Sequence, residues 1–346
     1  MKYGFWLPIF GGWLRNIEYE KMPATFEYAK EVIVKGEEWG YDTTLIAELY
    51  LNDIKGFEAD SLEAWSTASA LAAVTNKIEI MTAIRPGFHN PAVAAKMAAT
   101  IDQISNGRFT LNVVSAWWEQ EAKQYGGVFT EHDERYERTS EFLEVMKGLW
   151  KSENPFSYDG NYYSIENSHL YPKPVQKPHP VLYAGGESEK GKNTIIEHCD
   201  AYVMHGGTVS EIREKVNDMK QRRSKTTTIP LSSFGMAAYV ICRDTEEEAL
   251  EELRRITHVV DSSGYVGYND FTTKSQLEQK IKLQDYSVSN RGLRPNLVGT
   301  PRQIAEKILA FEEAGIDLLL LQFSPQLEEM ENFSKKVMPL VEKNRN

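Results

Sequence analysis

The feature that most limits what this chain can fold into is a regular alternation. Short apolar runs, each followed by a longer amphipathic stretch, recur from one end to the other. The apolar runs are YGFWLPI (3–9), TTLIAE (43–48), KIEIMTAIR (77–85), FTLNVVSAW (109–117), PVLYAGG (180–186), AYVMHGG (201–207), FGMAAYVIC (234–242) and DLLLLQFS (317–324). Between them the apolar residues recur at helical spacing, over 25–40, 61–75, 91–105, 133–151, 188–199, 209–223, 245–260 and 301–315, with a last helix over 327–343. Pro91 and Pro301 each open an amphipathic run, a position where a missing N–H does no harm. Gly40 and Gly315 close two others just before the next strand. Strands that each hand over to a helix with short returns predict a parallel (β/α)8 barrel of the TIM type, with an open doubly wound sheet as the alternative.

Two segments exceed the repeat, and the expected organisation is one barrel domain over 1–346 carrying both as insertions. Residues 152–179, rich in aromatics, Asn and Pro, predict a hairpin-like excursion before the fifth strand. Residues 261–298 are polar, contain several glycines and carry Arg291 and Arg294. An insertion this long in a compact barrel is a functional lid or a disordered decoration, and the lid is the expectation because barrel sites lie at the strand C-termini.

Composition narrows the partners. A formal charge of −11 argues against nucleic acid or an anionic membrane surface. No apolar run reaches membrane-spanning length, and the apolar N-terminus breaks at Pro8 and Gly11–Gly12 without a signal peptide's layout. Cys199 and Cys242 supply neither a disulfide framework nor metal-ligand spacing. A cytoplasmic protein is expected.

The strand C-termini are where barrel chemistry gathers. They offer Phe10 and Trp13, then Glu48 and Leu49, then Ala83, Ile84 and Arg85, then Asn112, Ser115, Trp117 and Trp118. Later strands contribute Gly185, Gly186, Glu187, Ser188, Met204, His205, Tyr239, Gln322 and Ser324. This set holds no nucleophile elbow and no metal-ligand spacing. Aromatic and small apolar residues dominate, with scattered amides and hydroxyls, so the pocket suits something flat and leaves the hard chemistry to a cofactor. AGGESEKGKNT (184–194) is the phosphate candidate, with two glycines, Ser188 and a helix start whose N–H groups are unpaired. A plain glycine turn with a Ser N-cap explains it equally well. Arg135 and Tyr136, in EHDERYERTSEF (131–142), could bind the same anion or belong to a solvated helix face of Glu–Arg pairs. Trp117 and Trp118 are either plain core or a stacking wall, and His205 is a hydrogen-bonder or a base.

AATIDQISNGRFTLNVVSAWW, EHDERYERTSEF, YPKPVQKPHPVLYAGGES and PNLVGTPRQIAEKILAFEEAGIDLLLL, in that order, resemble the bacterial luciferase-like flavin monooxygenases over nearly the whole chain. Within that superfamily the chain is most similar to the dimethyl sulfone and alkanesulfonate branches, and near its N-terminus to the pyrimidine-ring-opening enzymes. The resemblance implies a barrel that uses reduced FMN (FMNH2) from a separate NAD(P)H-dependent flavin reductase, with O2 as co-substrate. It implies a homo-oligomer, dimer or tetramer. Carried over by position, Asn112 meets the flavin ring with Glu121 nearby, and Ala83–Ile84 backs the isoalloxazine. Glu48 and Leu49 line the pocket, while Gly186, Ser188, Arg135 and Tyr136 take the ribityl and phosphate end.

Two departures bear on the substrate. Alkanesulfonate monooxygenases carry an Arg-x-His pair on the seventh strand, where this chain has Ala237 and Tyr239; near the eighth strand their Tyr and His become Ser324 and Gln326. Loss of a cation and an imidazole disfavours a buried sulfonate, unless Arg85, Arg291 or Arg294 compensates. The expected substrate is therefore a small organosulfur compound, leaning toward a neutral sulfone, whose oxidation breaks a carbon–sulfur bond. Tyr239, His205 and Arg291 are the candidate catalytic side chains. A deazaflavin-dependent dehydrogenase of the same fold, a non-catalytic flavin-binding barrel and a flavin-free lyase or isomerase are the competing expectations.

Overall fold

The computed structural model describes residues 1–115, 117–260, 263–274, 282–289 and 292–345. Its strands are β1 (Lys2–Trp6), β2 (Thr43–Ile46), β3 (Glu79–Ile84), β4 (Phe109–Val113), β5 (Phe156–Asp159), β6 (Ser164–Ser168), β7 (Leu182–Ala184), β8 (Ala201–Met204), β9 (Phe234–Cys242), β10 (Leu297–Gly299) and β11 (Leu318–Gln322). Its α-helices are α1 (Phe26–Glu38), α2 (Ala64–Ala72), α3 (Pro91–Ile104), α4 (Glu119–Tyr125), α5 (His132–Lys151), α6 (Glu189–His198), α7 (Val209–Thr226), α8 (Glu246–Thr257), α9 (Tyr268–Lys274), α10 (Pro301–Glu313), α11 (Gln326–Lys336) and α12 (Met338–Arg345).

Eight strands run in the parallel order β9-β11-β1-β2-β3-β4-β7-β8, and β8 pairs back onto β9 to close the ring. Closure leaves every barrel strand with two neighbours, which removes the exposed edges an open sheet would carry. The (β/α)8 barrel is the fold, and the doubly wound alternative falls. Each predicted apolar run overlaps one barrel strand. Beyond the ring, β10 pairs with the far end of β9, Leu297 opposite Val240. The antiparallel pair β5–β6 is the excursion expected in 152–179.

Local chemistry sets the helix boundaries. Asn90 and Thr300 cap α3 and α10, with Pro91 and Pro301 at the first helical positions. Gly40 and Gly315 follow α1 and α10 with φ of 84° and 102°, a conformation that suits glycine. The barrel core is continuous. Leu318, Leu319, Leu320 and Leu321 of β11 are all buried, the signature of a strand covered on both faces. Gly36 on α1 matters for contact: a Cβ there would stand 2.5 Å from the Phe5 ring, so the glycine lets helix and β1 close together.

Candidate active site at the barrel mouth

The cavity of about 220 Å³ opens where the strands end. Its border is built from the C-terminal ends of β1 to β4 and β7 to β9 and from the loops that follow them. Asn112 is the pivot of the far wall. In β4 it stands opposite Ala83 of β3 and Tyr183 of β7, so the register fixes Ala83 and Asn112 side by side at the rim. Leu49, Val203, Met204 and Ala237 supply apolar surface.

Aromatic rings close the mouth. Trp117 borders the cavity and stacks parallel on the buried Trp118, with centroids 5.5 Å apart and planes 7° from parallel. Phe271 of α9 meets Trp117 edge to face at 5.3 Å and lies 5.5 Å from Tyr286. Phe271, Tyr286 and Ser289 belong to the long 261–298 insertion and all three border the cavity. Arg15 ties this insertion down. Its guanidinium lies 3.9 Å over the Tyr286 ring, donates to the carbonyls of Tyr286 and Gly264, and pairs with Asp53 at 2.9 Å. Burial opposes the charge on Arg15, but Asp53 with Tyr286 and Tyr265 keeps its pKa above the ordinary value.

A second group of residues makes an anion cradle. His132, Arg135 and Tyr136 are three and four positions apart at the start of α5, so one helix face presents all three. The Tyr136 hydroxyl hydrogen-bonds with Ser188 and packs on glycine backbone; a Cβ at Gly186 or Gly191 would stand 3.0 or 2.9 Å from it. Burial raises the Tyr136 pKa, with Ser188 and Arg135 pulling the other way. Ser188 caps α6 by accepting from the Gly191 N–H at 3.1 Å. Arg135 donates to the Thr130 carbonyl at 2.7 Å and lies 4.5 Å over the Phe129 ring, and its burial lowers its pKa. Cation, hydroxyls, bare glycine backbone and a helix N-terminus together suit a phosphate group.

Of the residues singled out in the sequence, Glu48, Leu49, Ala83, Asn112, Arg135, Tyr136, Gly186 and His205 border the cavity. Ser188 stands one hydrogen bond behind it. Two candidates are elsewhere. Glu121 is fully buried behind Arg85, accepting from the N–H groups of Tyr50 and Leu51 at 2.6 and 3.2 Å and pairing with the Arg85 guanidinium. Tyr239 is buried and does not border the cavity; Gly292 packs against its Cβ, and its backbone N–H donates to the Gly292 carbonyl at 2.7 Å. Burial pushes its hydroxyl pKa well up, which disfavours a role in moving protons. Arg291 lies outside the described residues. Arg294, a further candidate cation, pairs with Glu211 at the start of α7.

Sequence reasoning passed over His132, Trp6, Arg15 and Asp53, all of which border the cavity. His132 was within reach, since it shares a helix face with Arg135 and Tyr136. Arg15 and Asp53 meet only through the fold. Among the described residues, the cavity residues His132 and Trp6 each keep one buried side-chain nitrogen with no hydrogen-bond partner, and Arg85 keeps two. Unsatisfied donors around an aromatic cup are what a flat ligand with polar edges would complete.

A family model described as luciferase-like monooxygenase matches residues 1–318. The chain belongs to the luciferase-like monooxygenase family. Membership makes it an oxidoreductase and accounts for a mouth rich in aromatic rings and poor in nucleophiles. Among curated members, the chain is 34% identical over 351 residues to an FMNH2-dependent dimethylsulfone monooxygenase of Pseudomonas putida, covering 99% of this chain and 95% of that one. It is 32% identical to the enzyme so named from Pseudomonas fluorescens (strain Pf0-1), covering 99% and 94%. Solved luciferase-like barrels superpose well. A long-chain alkane monooxygenase does so with a TM-score of 0.82 at 20% identity, over 99% of this chain and 91% of that one. An F420-dependent secondary alcohol dehydrogenase gives 0.74 at 20% identity over 98% of each chain. At such identity these two speak for the shared fold alone.

Proposed function

We propose that this protein is the oxygenase of a two-component system. It takes reduced FMN from a separate NAD(P)H-dependent flavin reductase, uses O2, and oxidises a small neutral organosulfur compound of the dialkyl sulfone class with cleavage of a carbon–sulfur bond. What carries the reading is the cavity, which joins an aromatic cup to a phosphate cradle in a chain whose full-length relatives are named for FMNH2 and dimethyl sulfone. Reduced FMN supplies the electrons with which O2 is activated.

The residues fit that cofactor. Arg135, Tyr136, Ser188 and the Gly185–Gly186 backbone would hold its phosphate, Asn112 would meet a polar edge of the ring, and Ala83 and Leu49 would give it an apolar bed. Trp117, Phe271 and Tyr286 would keep water out, which protects reactive oxygen species from hydrolytic loss. The charges favour a neutral substrate. Arg15 is matched by Asp53 and Arg85 by Glu48 and Glu121, while Ala237 gives the cavity a methyl group. Gln326 spends its amide on Trp13 and the Trp6 carbonyl, at 2.9 and 3.2 Å. A buried sulfonate needs positive charge that these pairs have already neutralised.

The test combines the protein, a generic flavin reductase, NADH, FMN and air with a panel of dialkyl sulfones, alkanesulfonates and alkanes. Aldehyde and sulfinate formed together from a short sulfone, only when both proteins are present, is the expected outcome. Absence of O2-dependent product from every organosulfur compound overturns the reading. Hydride transfer with a deazaflavin in the absence of O2 would move the protein to the dehydrogenase side of the fold.

A further inference from the structure

Behind the rim between β2 and β3 lies a buried charge cluster that the cofactor reading does not use. Glu48 borders the cavity, and its side chain is 1% exposed. One of its oxygens accepts the Arg85 backbone N–H at 2.8 Å and lies 3.5 Å from the Arg85 Nε. The other lies 2.6 Å from the Nε2 of His89. Arg85 also pairs with Glu121, whose side chain is fully buried. Its guanidinium is bracketed by the rings of Phe88 and Tyr50, at 4.1 and 5.1 Å. The His89 ring is tilted against Trp65, 5.8 Å away.

The charges of this cluster do not balance. Arg85 brings one positive charge, Glu48 and Glu121 bring two negative ones, and all three side chains are at most 3% exposed. Among the described residues, the other groups packed around it do not correct the sum. Tyr50 is kept protonated by burial, with Glu48 adding to the effect, and Glu63 contributes a further carboxylate from the N-cap of α2. A buried excess of negative charge calls for further hydrogen-bond donors, and the close His89–Glu48 contact supplies one. His89 is the member that reaches water, with 15% of its side chain exposed against 1% for Glu48. Solvent, imidazole, carboxylate and cavity therefore stand in one line of contacts.

We propose that His89 and Glu48 are the proton inlet of the cavity. The idea rests on the monooxygenase reading. Insertion of one oxygen atom of O2 into a substrate leaves the other to depart as water, which takes two electrons and two protons. Reduced FMN would supply the electrons; one proton has to reach the departing oxygen at that step, and an equal one returns to solvent when the hydroxylated carbon–sulfur unit breaks apart. Glu48 releases a proton from its carboxyl toward the departing oxygen, His89 refills Glu48 from Nε2, and solvent refills His89. No bond other than these O–H and N–H bonds is made or broken in the relay.

Two measurements test it. Without flavin, the imidazole N–H held by Glu48 is expected as a slowly exchanging proton resonance that vanishes in both Glu48→Gln and His89→Gln. With the reductase system, His89→Ala is expected to slow sulfone oxidation about a hundredfold or more, the range for loss of an acid–base group. It should also flatten the pH–rate profile, and added imidazole should restore the rate in His89→Ala but not in Glu48→Gln. A His89→Ala enzyme with the wild-type rate, pH profile and indifference to imidazole overturns the inlet, as does absence of the resonance from the wild-type protein. A wild-type protein that oxidises no organosulfur compound overturns the functional reading instead, and the flavin-free resonance then still decides for or against the proton-sharing pair.

Discussion

Arg135 shows how much a single side chain at this mouth has to reconcile. Its guanidinium is buried, donates to the Thr130 carbonyl and lies over Phe129, so part of it serves the loop that leads into α5. The remainder borders the cavity beside Tyr136. Arg135→Ala is expected to weaken reduced-FMN binding by about 1.5–3 kcal/mol, the range for a hydrogen bond to a charged group. Anaerobic titration of flavin fluorescence measures this directly, and unchanged affinity would assign Arg135 to the loop alone. Arg135→Lys should recover only part of the loss, because an ammonium keeps the charge but not the planar fork. Glu121 teaches the opposite lesson. The resemblance puts it near the flavin, yet its carboxylate is taken up by Arg85 and by the N–H groups of Tyr50 and Leu51.

The 261–298 insertion is the element whose role matters most. Phe271, Tyr286 and Trp117 form an aromatic cluster set apart from the main core, and Arg15 joins the insertion to Asp53. Phe271→Ala should let water reach the cup, lowering the product formed per reduced FMN consumed while leaving flavin affinity nearly unchanged. Product and hydrogen peroxide measured in the same reaction check this, and an unaltered ratio would make the insertion mere decoration. The sequence disclosed the barrel strands and most helices because each has a strong period and its own start and stop signals, as at Asn90–Pro91 and Thr300–Pro301. It hid α4, a seven-residue helix too short to show a period, which opens after Trp118 with no side-chain cap. The single predicted helix over 327–343 is divided at Val337 into α11 and α12. In the same way, Arg135 and Tyr136 were legible because they share a helix face. The Arg15–Asp53 and Glu48–His89 pairs join residues about 40 positions apart, which no local pattern can reveal.

At the scale of the molecule, the ring of strands and the cup at its end should be separable in energy. The cup is lined mostly by residues at or beyond the C-terminal ends of β1 to β4, β7 and β8, with Ala237 from within β9, whereas β11 lies in the body of the ring between β1 and β9. Leu320 of β11 is fully buried, stands opposite Gly4 of β1 and Ala237 of β9, and does not border the cavity. Its fit is close: a Cβ placed on Gly4 would come within 2.8 Å of the Leu320 side chain. Leu320→Ala should therefore lower stability by about 2–5 kcal/mol, the combined effect of lost burial and the remaining void. Urea unfolding followed by far-ultraviolet circular dichroism measures that loss. Reduced-FMN affinity, taken well below the unfolding midpoint, should stay within a factor of about two, since Leu320 meets the cup through its strand neighbour Ala237, whose place β9 holds. Affinity that fell in step with stability would mean that the cup is held in shape by the tension of the whole ring. The aromatic insertion and the Arg85 cluster would then be too weak to hold it, and the variants at Phe271 and His89 would have to be reinterpreted as effects on the ring.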